Sequence, residues 1–377
     1  MNICIIGGGN MGHYLAAKVG IKQNRVRVYT RDAAKWKEEV IAVDNNVIIA
    51  EGIIDKCSSS AKEALHEAEL VLITWPSNYL AERLHEIEPY LTGDMMIGFI
   101  PGYGGKEFIC KDLTRKGCIL FGTKRVLSST KAIDRGSSVE CIDNRPDIQI
   151  AAVKSSYTDR CCKIMEDLFK KPCVPLKNYL TVSLTPSNPI LHTSRIYSLF
   201  KDYHNGHIYN EHYRFYSKWS DSASEALLDM DNELQTFCNS LVELDLSGVI
   251  PLTKHYEISD SSSEQERVSN MTAKIRSLKF IKDYAPMVRE GSGYKPAFDS
   301  RYFKEDFPYG LAVIKSFCEI GLINTPMIDR LLKWYSKLMK LTFYIDDHFN
   351  GSDLSTLPLP QNAGIEKKED LVSFYSA

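Results

Sequence analysis

Three glycines near the start of the chain and two polar knots further along hold the residue types that could do chemistry. Gly7, Gly9 and Gly12 stand in the run Gly7-Gly-Gly9-Asn10-Met11-Gly12, with G-x-G-x-x-G spacing. That spacing suits a dinucleotide: the first glycine makes a tight turn, the second lets the backbone approach a pyrophosphate, and the third lets a helix pack close to its strand. Asn10 and Met11 stand in this loop, and the main-chain amides at the start of the helix that follows face the phosphates. Near the midpoint, Leu184-Thr-Pro-Ser-Asn188-Pro189-Ile-Leu-His192-Thr-Ser-Arg-Ile-Tyr197 sets two prolines, an asparagine and a histidine inside an apolar run. Histidine titrates near neutrality and works as a general acid or base. On residue type alone, however, a satisfied core histidine is the commoner case.

The second knot is Phe298-Asp-Ser-Arg301-Tyr-Phe-Lys-Glu-Asp306-Phe-Pro-Tyr-Gly310. Arg301 and Asp306 are five apart and can face one cleft if the segment bends before its helix begins. The aromatics around them would form a wall of low dielectric, where charges interact strongly. The competing reading is a solvated acidic helix start, Glu305 and Asp306 complementing the dipole. His204 and His207 share a glycine-containing loop, but such a pair is too few ligands for a metal site, and no metal is expected.

These groups need elements to position them. Residues 2–6 read as a strand running into the glycine loop, and 13–21 as the helix after it. The strand at 25–30 ends about 20 residues beyond the loop, where a dinucleotide fold reads the ribose. NAD enzymes usually carry an acidic residue there; this chain offers Thr30 and Arg31, and a guanidinium pairs with a 2′-phosphate, so NADP is favoured over NAD. Strands at 70–74 and 95–100 run into Trp75-Pro76-Ser77 and Pro101-Gly102-Tyr-Gly-Gly105. In an open parallel sheet, ligands lie beyond the carboxyl ends of strands, which makes Pro76, Pro101 and Gly102 cofactor-facing candidates. Further strands at 118–122 and 148–153 and helices at 78–91 and 158–169 continue the alternation. Beyond about residue 175 the spacing turns helical, at 180–200, 221–241, 263–278, 304–320 and 326–343. Ser220 caps one helix, and Asn324-Thr325-Pro326 supplies a cap and an N1 proline for another. The expected fold is α/β: a Rossmann-type dinucleotide-binding domain over 1–178 and a mostly α-helical domain over 179–377, with a loosely ordered tail after Gly351.

The chain is 44% hydrophobic and 25% charged, with a formal net charge of -2. This balance offers nothing to attract nucleic acid or an anionic membrane. No apolar stretch reaches the roughly 18–20 residues of a membrane span. The N-terminus reads as a strand, so no signal peptide is expected, and the cysteines, none in a Cys-x-x-Cys pair, read as reduced thiols of a cytoplasmic protein. Charge and composition leave the oligomeric state open, a homodimer included.

Five segments taken together, GGGNMGH, PGYGG, FGTKRV at Phe121 to Val126, SNPILHTSRIY at Ser187 to Tyr197 and SRYFKEDFPYG at Ser300 to Gly310, resemble the opine dehydrogenases, the octopine/nopaline dehydrogenase group. They occur in order over nearly the whole chain, and the last two are the specific ones. The resemblance implies that an α-keto acid and the amine of an amino acid condense to an imine, which NAD(P)H reduces. It makes His192 the acid/base group, paired with Asp306, and places Arg301 beside a substrate carboxylate with Asn188 as a substrate contact. After Val126 the chain departs from the group's pattern, and Arg31 replaces the acidic residue typical of NAD users. Two other readings remain open at this stage: a 2-keto or 2-hydroxy acid reductase of the ketopantoate-reductase type, and a non-catalytic nucleotide sensor.

Overall fold

In the computed structural model, which describes residues 1–142, 145–259, 261–278 and 283–376, the chain divides into two units. One comprises Met1–Ser183 with Ser373–Ala377, the other Leu184–Val372.

The first unit is built on an eight-stranded sheet. Its strands are β1 (Asn2–Ile6), β2 (Arg25–Tyr29), β5 (Lys56–Ser58), β6 (Leu70–Ile73), β7 (Met96–Phe99), β8 (Ile119–Thr123), β11 (Ile148–Ala152) and β12 (Cys173–Pro175), in the order β12-β11-β8-β7-β6-β1-β2-β5. Every pairing is parallel except β8 with β11. β6, β7 and β8 are continuously apolar and buried along their length, as strands covered on both faces must be. Helix Asn10–Val19 buries Tyr14, Leu15, Ala16 and Val19 in the core of this unit, beside β1 and β2. The switch in strand order beside β1 leaves a crevice at the carboxyl ends of β1, β2 and β6. This bears out the doubly wound reading.

A second sheet was not foreseen. β3 (Glu39–Asp44), β4 (Val47–Ile53), β9 (Ser129–Asp134) and β10 (Ser138–Ile142) form it in the order β4-β3-β10-β9, and it packs on helix Asn10–Val19. β4 and β9 are mostly exposed, so neither shows the apolar alternation that marks a strand in sequence.

Among the described residues the second unit is mainly helical, with a hairpin of β13 (Met287–Glu290) and β14 (Gly293–Pro296). Its main helices are Asn188–Phe200, Asp221–Ser240, Glu264–Ser277, Ala312–Ile320 and Pro326–Met339. Ser220 caps the second of these as expected, its hydroxyl accepting from Ala223 N–H. Thr325 stands at the N-cap before Pro326 but makes no side-chain cap; the Glu233 carboxylate accepts from Met327 and Ile328 N–H instead, at 2.6 and 3.0 Å. The helix expected over 180–200 is two helices, Leu180–Ser183 and Asn188–Phe200. Pro186 and Pro189 explain the interruption, since proline lacks an N–H and fits a first helical turn far better than a helix interior. Residues 302–311 wind as a π-helix before Ala312–Ile320 continues as α. The tail is ordered: Leu354, Leu357, Leu359, Ile365, Leu371 and Tyr375 are buried.

Candidate active site

At the end of β1 the chain turns through Gly7, at φ +114°, into helix Asn10–Val19. A Cβ on Gly7 would lie 2.4 Å from Thr74 Oγ1 and one on Gly12 only 1.9 Å from the Gly7 carbonyl oxygen, whereas Gly9 has nothing within 4 Å. The loop is therefore closed where it packs and open at its middle glycine. A cavity of about 370 Å³ starts at this loop and is lined further by Thr30, Arg31, Trp75 and Pro76. Its volume falls in the range of small-ligand clefts. Open glycine backbone, the first amides of a helix and a flanking arginine form a donor set that fits the phosphates of a dinucleotide. On the far side, Glu86 accepts from Tyr29 O–H at 2.9 Å and from Arg83 at 2.7 Å, which holds that wall in place.

Of the predicted cofactor residues, Gly7, Gly9, Asn10, Thr30, Arg31 and Pro76 line this cavity. Gly12 lies under the loop, and Met11 packs against the core of the unit. Pro101 and Gly102 are not among the residues lining this cavity. A Cβ on Gly102 would be 2.7 Å from Val182, and its carbonyl accepts from Tyr179 O–H at 2.8 Å. The Pro101 carbonyl accepts from the buried Lys106 ammonium at 3.0 Å.

In the helical unit, His192 sits one turn into helix Asn188–Phe200 and is only 7% exposed. Pro189 at the start of that helix packs on Gly310, where a Cβ would come within 2.9 Å of the proline ring. This close approach lays the helix against the π-helical stretch and brings His192 to Asp306, 114 residues later. His192 Nδ1 lies 2.8 Å from Asp306 Oδ2. A carboxylate only accepts, so the proton belongs on Nδ1 and the neutral ring leaves Nε2 as acceptor. Tyr216 O–H, 3.0 Å away, donates to that nitrogen. Burial, with smaller contributions from neighbouring Tyr302, Tyr256 and Asp306, pushes the Tyr216 phenol well above its usual range, so it stays a neutral donor. Tyr302 lies against the imidazole with ring centres 4.7 Å apart, and Phe215 meets it edge-on at 5.6 Å.

Asp306 is 1% exposed. Its Oδ1 is buried without a hydrogen bond among the described residues, so His192 is the principal answer to its charge. Glu305 is buried too and ion-pairs with Arg301 at 2.8 Å, so the solvated acidic cluster is excluded. The two neighbouring carboxylates take different partners: Glu305 turns to Arg301 and Asp306 to His192. Arg301 is about half exposed, 49% by side chain, and both Arg301 and Asp306 act electrostatically on the Tyr216 hydroxyl. Asn188 opens the His192 helix and is partly exposed.

Two residues of this site escaped the sequence reading. Tyr216 lies in a loop with no periodic signal. Arg195, one turn after His192, is buried, and its guanidinium donates to the carbonyls of Phe215 at 2.8 Å, Arg214 at 2.9 Å and Lys218 at 2.5 Å. It clamps the loop that presents Tyr216. Burial, with help from Arg276, pulls this guanidinium down to about 10, which still leaves it charged at neutral pH. An arginine in a buried helical run was the available signal.

A family model described as NAD/NADP octopine/nopaline dehydrogenase, alpha-helical domain, matches residues 175–339, the stretch that carries His192, Tyr216, Arg301 and Asp306. Over that stretch the chain is similar to the octopine/nopaline dehydrogenase helical domain. A second model, ketopantoate reductase PanE/ApbA, matches residues 3–137 of the nucleotide unit. Among curated relatives, a tauropine dehydrogenase of Arabella iricolor is 27% identical over 98% of this chain and 99% of its own length. An opine dehydrogenase of Haliotis discus hannai is 24% identical over 99% and 98%. An octopine dehydrogenase structure with NADH and L-arginine superposes with a TM-score of 0.82 at 20% identity, covering 99% of this chain and 98% of that one. The likeness in fold thus extends over both units of the opine dehydrogenase architecture.

Proposed function

We propose that this chain is an NAD(P)H-dependent opine dehydrogenase. An α-keto acid and the amino group of an amino acid lose water to form an imine, and addition of a hydride to the imine carbon and a proton to its nitrogen yields an N-(carboxyalkyl) amino acid. The nicotinamide dinucleotide supplies the hydride when bound. One observation carries the reading: a histidine fixed by a buried aspartate, on the stretch similar to that helical domain.

The chain's own groups have distinct tasks. His192 Nδ1 is committed to Asp306, so proton exchange with substrate runs through Nε2, where the Tyr216 hydroxyl now sits. As imidazolium, the ring donates from Nε2 to the oxygen that leaves during dehydration or to the nitrogen being reduced, and Asp306 stabilises the positive charge meanwhile. Arg301, with its planar fork, suits a substrate carboxylate, with Asn188 as a second contact. Gly7, Gly9 and Asn10 receive the pyrophosphate, while Thr30 and Arg31 read the ribose, with NADP favoured over NAD because Arg31 answers a 2′-phosphate.

The ketopantoate-reductase type of 2-keto acid reductase differs in needing no amine, and a nucleotide sensor would not turn over. The test is a matrix of amino acids against pyruvate, glyoxylate and 2-oxoglutarate, followed by NADPH and NADH absorbance. Oxidation that requires both keto acid and amino acid, and is abolished by His192→Ala with nucleotide affinity retained, is the expected result. Oxidation at full rate with keto acid alone, or near-normal rates in the His192→Ala variant, overturns the proposal.

A further inference from the structure

The cavity at the glycine loop has a wall that belongs to none of the strands of the main sheet. The β9–β10 hairpin contributes Ala132 and Arg135 to its lining, opposite Arg31 and Asp32 from the end of β2. Arg135 stands at the tip of the hairpin, largely exposed, with its guanidinium 3.5 Å from Asp32 Oδ2. The tip is fastened to the glycine loop rather than left hanging. Asn10 Oδ1 accepts from Ala132 N–H at 3.1 Å. His13, 1% exposed, bridges loop and hairpin: Nδ1–H donates to the Gly9 carbonyl at 2.8 Å and Nε2 accepts from Gly136 N–H at 2.6 Å. Trp36 stacks on its ring with centres 4.3 Å apart, and Lys37 N–H donates to the Gly136 carbonyl at 3.0 Å.

We propose that Arg135 is a cofactor-specificity residue: with Arg31 it forms a two-guanidinium seat for the phosphate on the adenosine 2′ position, and His13 is the positioning residue that holds it there. The inference rests on the dinucleotide reading of this cavity and adds to it a residue from a separate sheet. In the structure the Asp32 carboxylate faces Arg135. A 2′-phosphate, a dianion with three acceptor oxygens, is the stronger partner for a guanidinium fork and displaces that carboxylate. NADH, with a hydroxyl at the 2′ position, has no group that competes for Arg135 and leaves the Asp32–Arg135 pair in place. His13 suits its task because the tautomer with the proton on Nδ1 offers one donor and one acceptor at the two places where the loop and the hairpin need them.

The test measures equilibrium binding, independent of turnover, with NADPH, NADH, adenosine 2′,5′-bisphosphate and AMP as probes. Arg135→Ala should weaken NADPH and adenosine 2′,5′-bisphosphate by roughly 10- to 100-fold, the loss expected for one charge-assisted contact, and change NADH and AMP by less than about twofold. Because Arg135 is exposed, the advantage of the phosphorylated probes in the unmodified protein should shrink as salt rises. His13→Leu should erode the same preference, and His13→Gln, which keeps a donor and an acceptor, should restore part of it. Equal loss of all four probes in Arg135→Ala, or no loss of any, overturns the assignment while leaving the dinucleotide site standing. An unmodified protein that binds none of the probes removes the dinucleotide reading itself, and this proposal with it.

Discussion

Glu107 offers a test of the folded structure that can be worked through in numbers. It lies just past the turn at Gly105, 1% exposed, with Oε1 accepting from the Ser183 hydroxyl and, at 3.0 Å, from Tyr375 O–H. Its Oε2 is buried without a hydrogen bond among the described residues. Burial, only partly offset by those two hydroxyls, pushes the carboxyl from its ordinary 4.5 up to about 7. Between those values the folded protein holds a proton that the unfolded chain has released. Stability from this group is therefore fully present below about pH 4.5 and is lost as pH rises through about 7. At about 1.4 kcal/mol per pH unit, the loss amounts to roughly 3 kcal/mol. Glutamine mimics the protonated acid at every pH. The Glu107→Gln variant should thus match the unmodified protein near pH 4.5 and exceed it by up to roughly 3 kcal/mol near pH 8, on the order of 6–10 °C in Tm for a unit of this size. Thermal melts of both proteins across that range, followed by circular dichroism and tryptophan fluorescence, measure the difference. Two melting curves that stay parallel across pH, or that diverge toward acid instead, refute the reasoning.

The other predictions concern the site in the helical unit. Asp306→Asn removes a buried charge-assisted hydrogen bond worth roughly 1.5–3 kcal/mol and releases the ring tautomer, so kcat for imine reduction should fall roughly 10- to 150-fold; an unchanged kcat in steady-state kinetics removes Asp306 from the mechanism. Tyr216→Phe keeps the ring parallel to Trp219, with centres 6.5 Å apart, but deletes the donor to His192 Nε2, so kcat should drop about 10-fold with little change in Tm. Arg195→Lys cannot hold the carbonyls of Arg214, Phe215 and Lys218 together, and a loss of about 2–4 kcal/mol should lower Tm by roughly 5–10 °C along with kcat, both readable from melts and initial rates.

Much of this was legible in the linear chain, for identifiable reasons. The glycine loop is read from six consecutive residues between a strand and a helix, and the cavity begins at that loop. The buried strands β6 and β7 announce themselves as short, continuous apolar runs. β9 does not, because its side chains mostly face solvent, and β4, although it opens on the apolar run from Val47 to Ala50, lies mostly at the surface. The tail after Gly351 reads as loose because of its Leu-Pro-Leu-Pro stretch and its Lys-Lys-Glu-Asp run. Yet Leu357, Leu359 and Leu371 are buried, so its order comes from docking and not from local propensity. Pro101 and Gly102 follow a strand of the parallel sheet as cofactor-facing residues do, but Tyr179 and Val182 pack against Gly102 from the far end of the same unit.

By itself, then, the chain determined what lies close in sequence: a strand, a glycine loop and a helix for a nucleotide, and two motifs holding His192 and Asp306. Their spacing alone did not show that those two residues meet; only the family resemblance implied the pairing. Their meeting depended on Pro189 packing against Gly310, which lays two distant helical stretches together with Glu305 turned to Arg301 and Asp306 to the imidazole. Tyr216 and Arg195 joined the site for the same physical reason. Partners brought together from distant points of a chain are selected by burial and close packing, and those forces act only once the chain has folded.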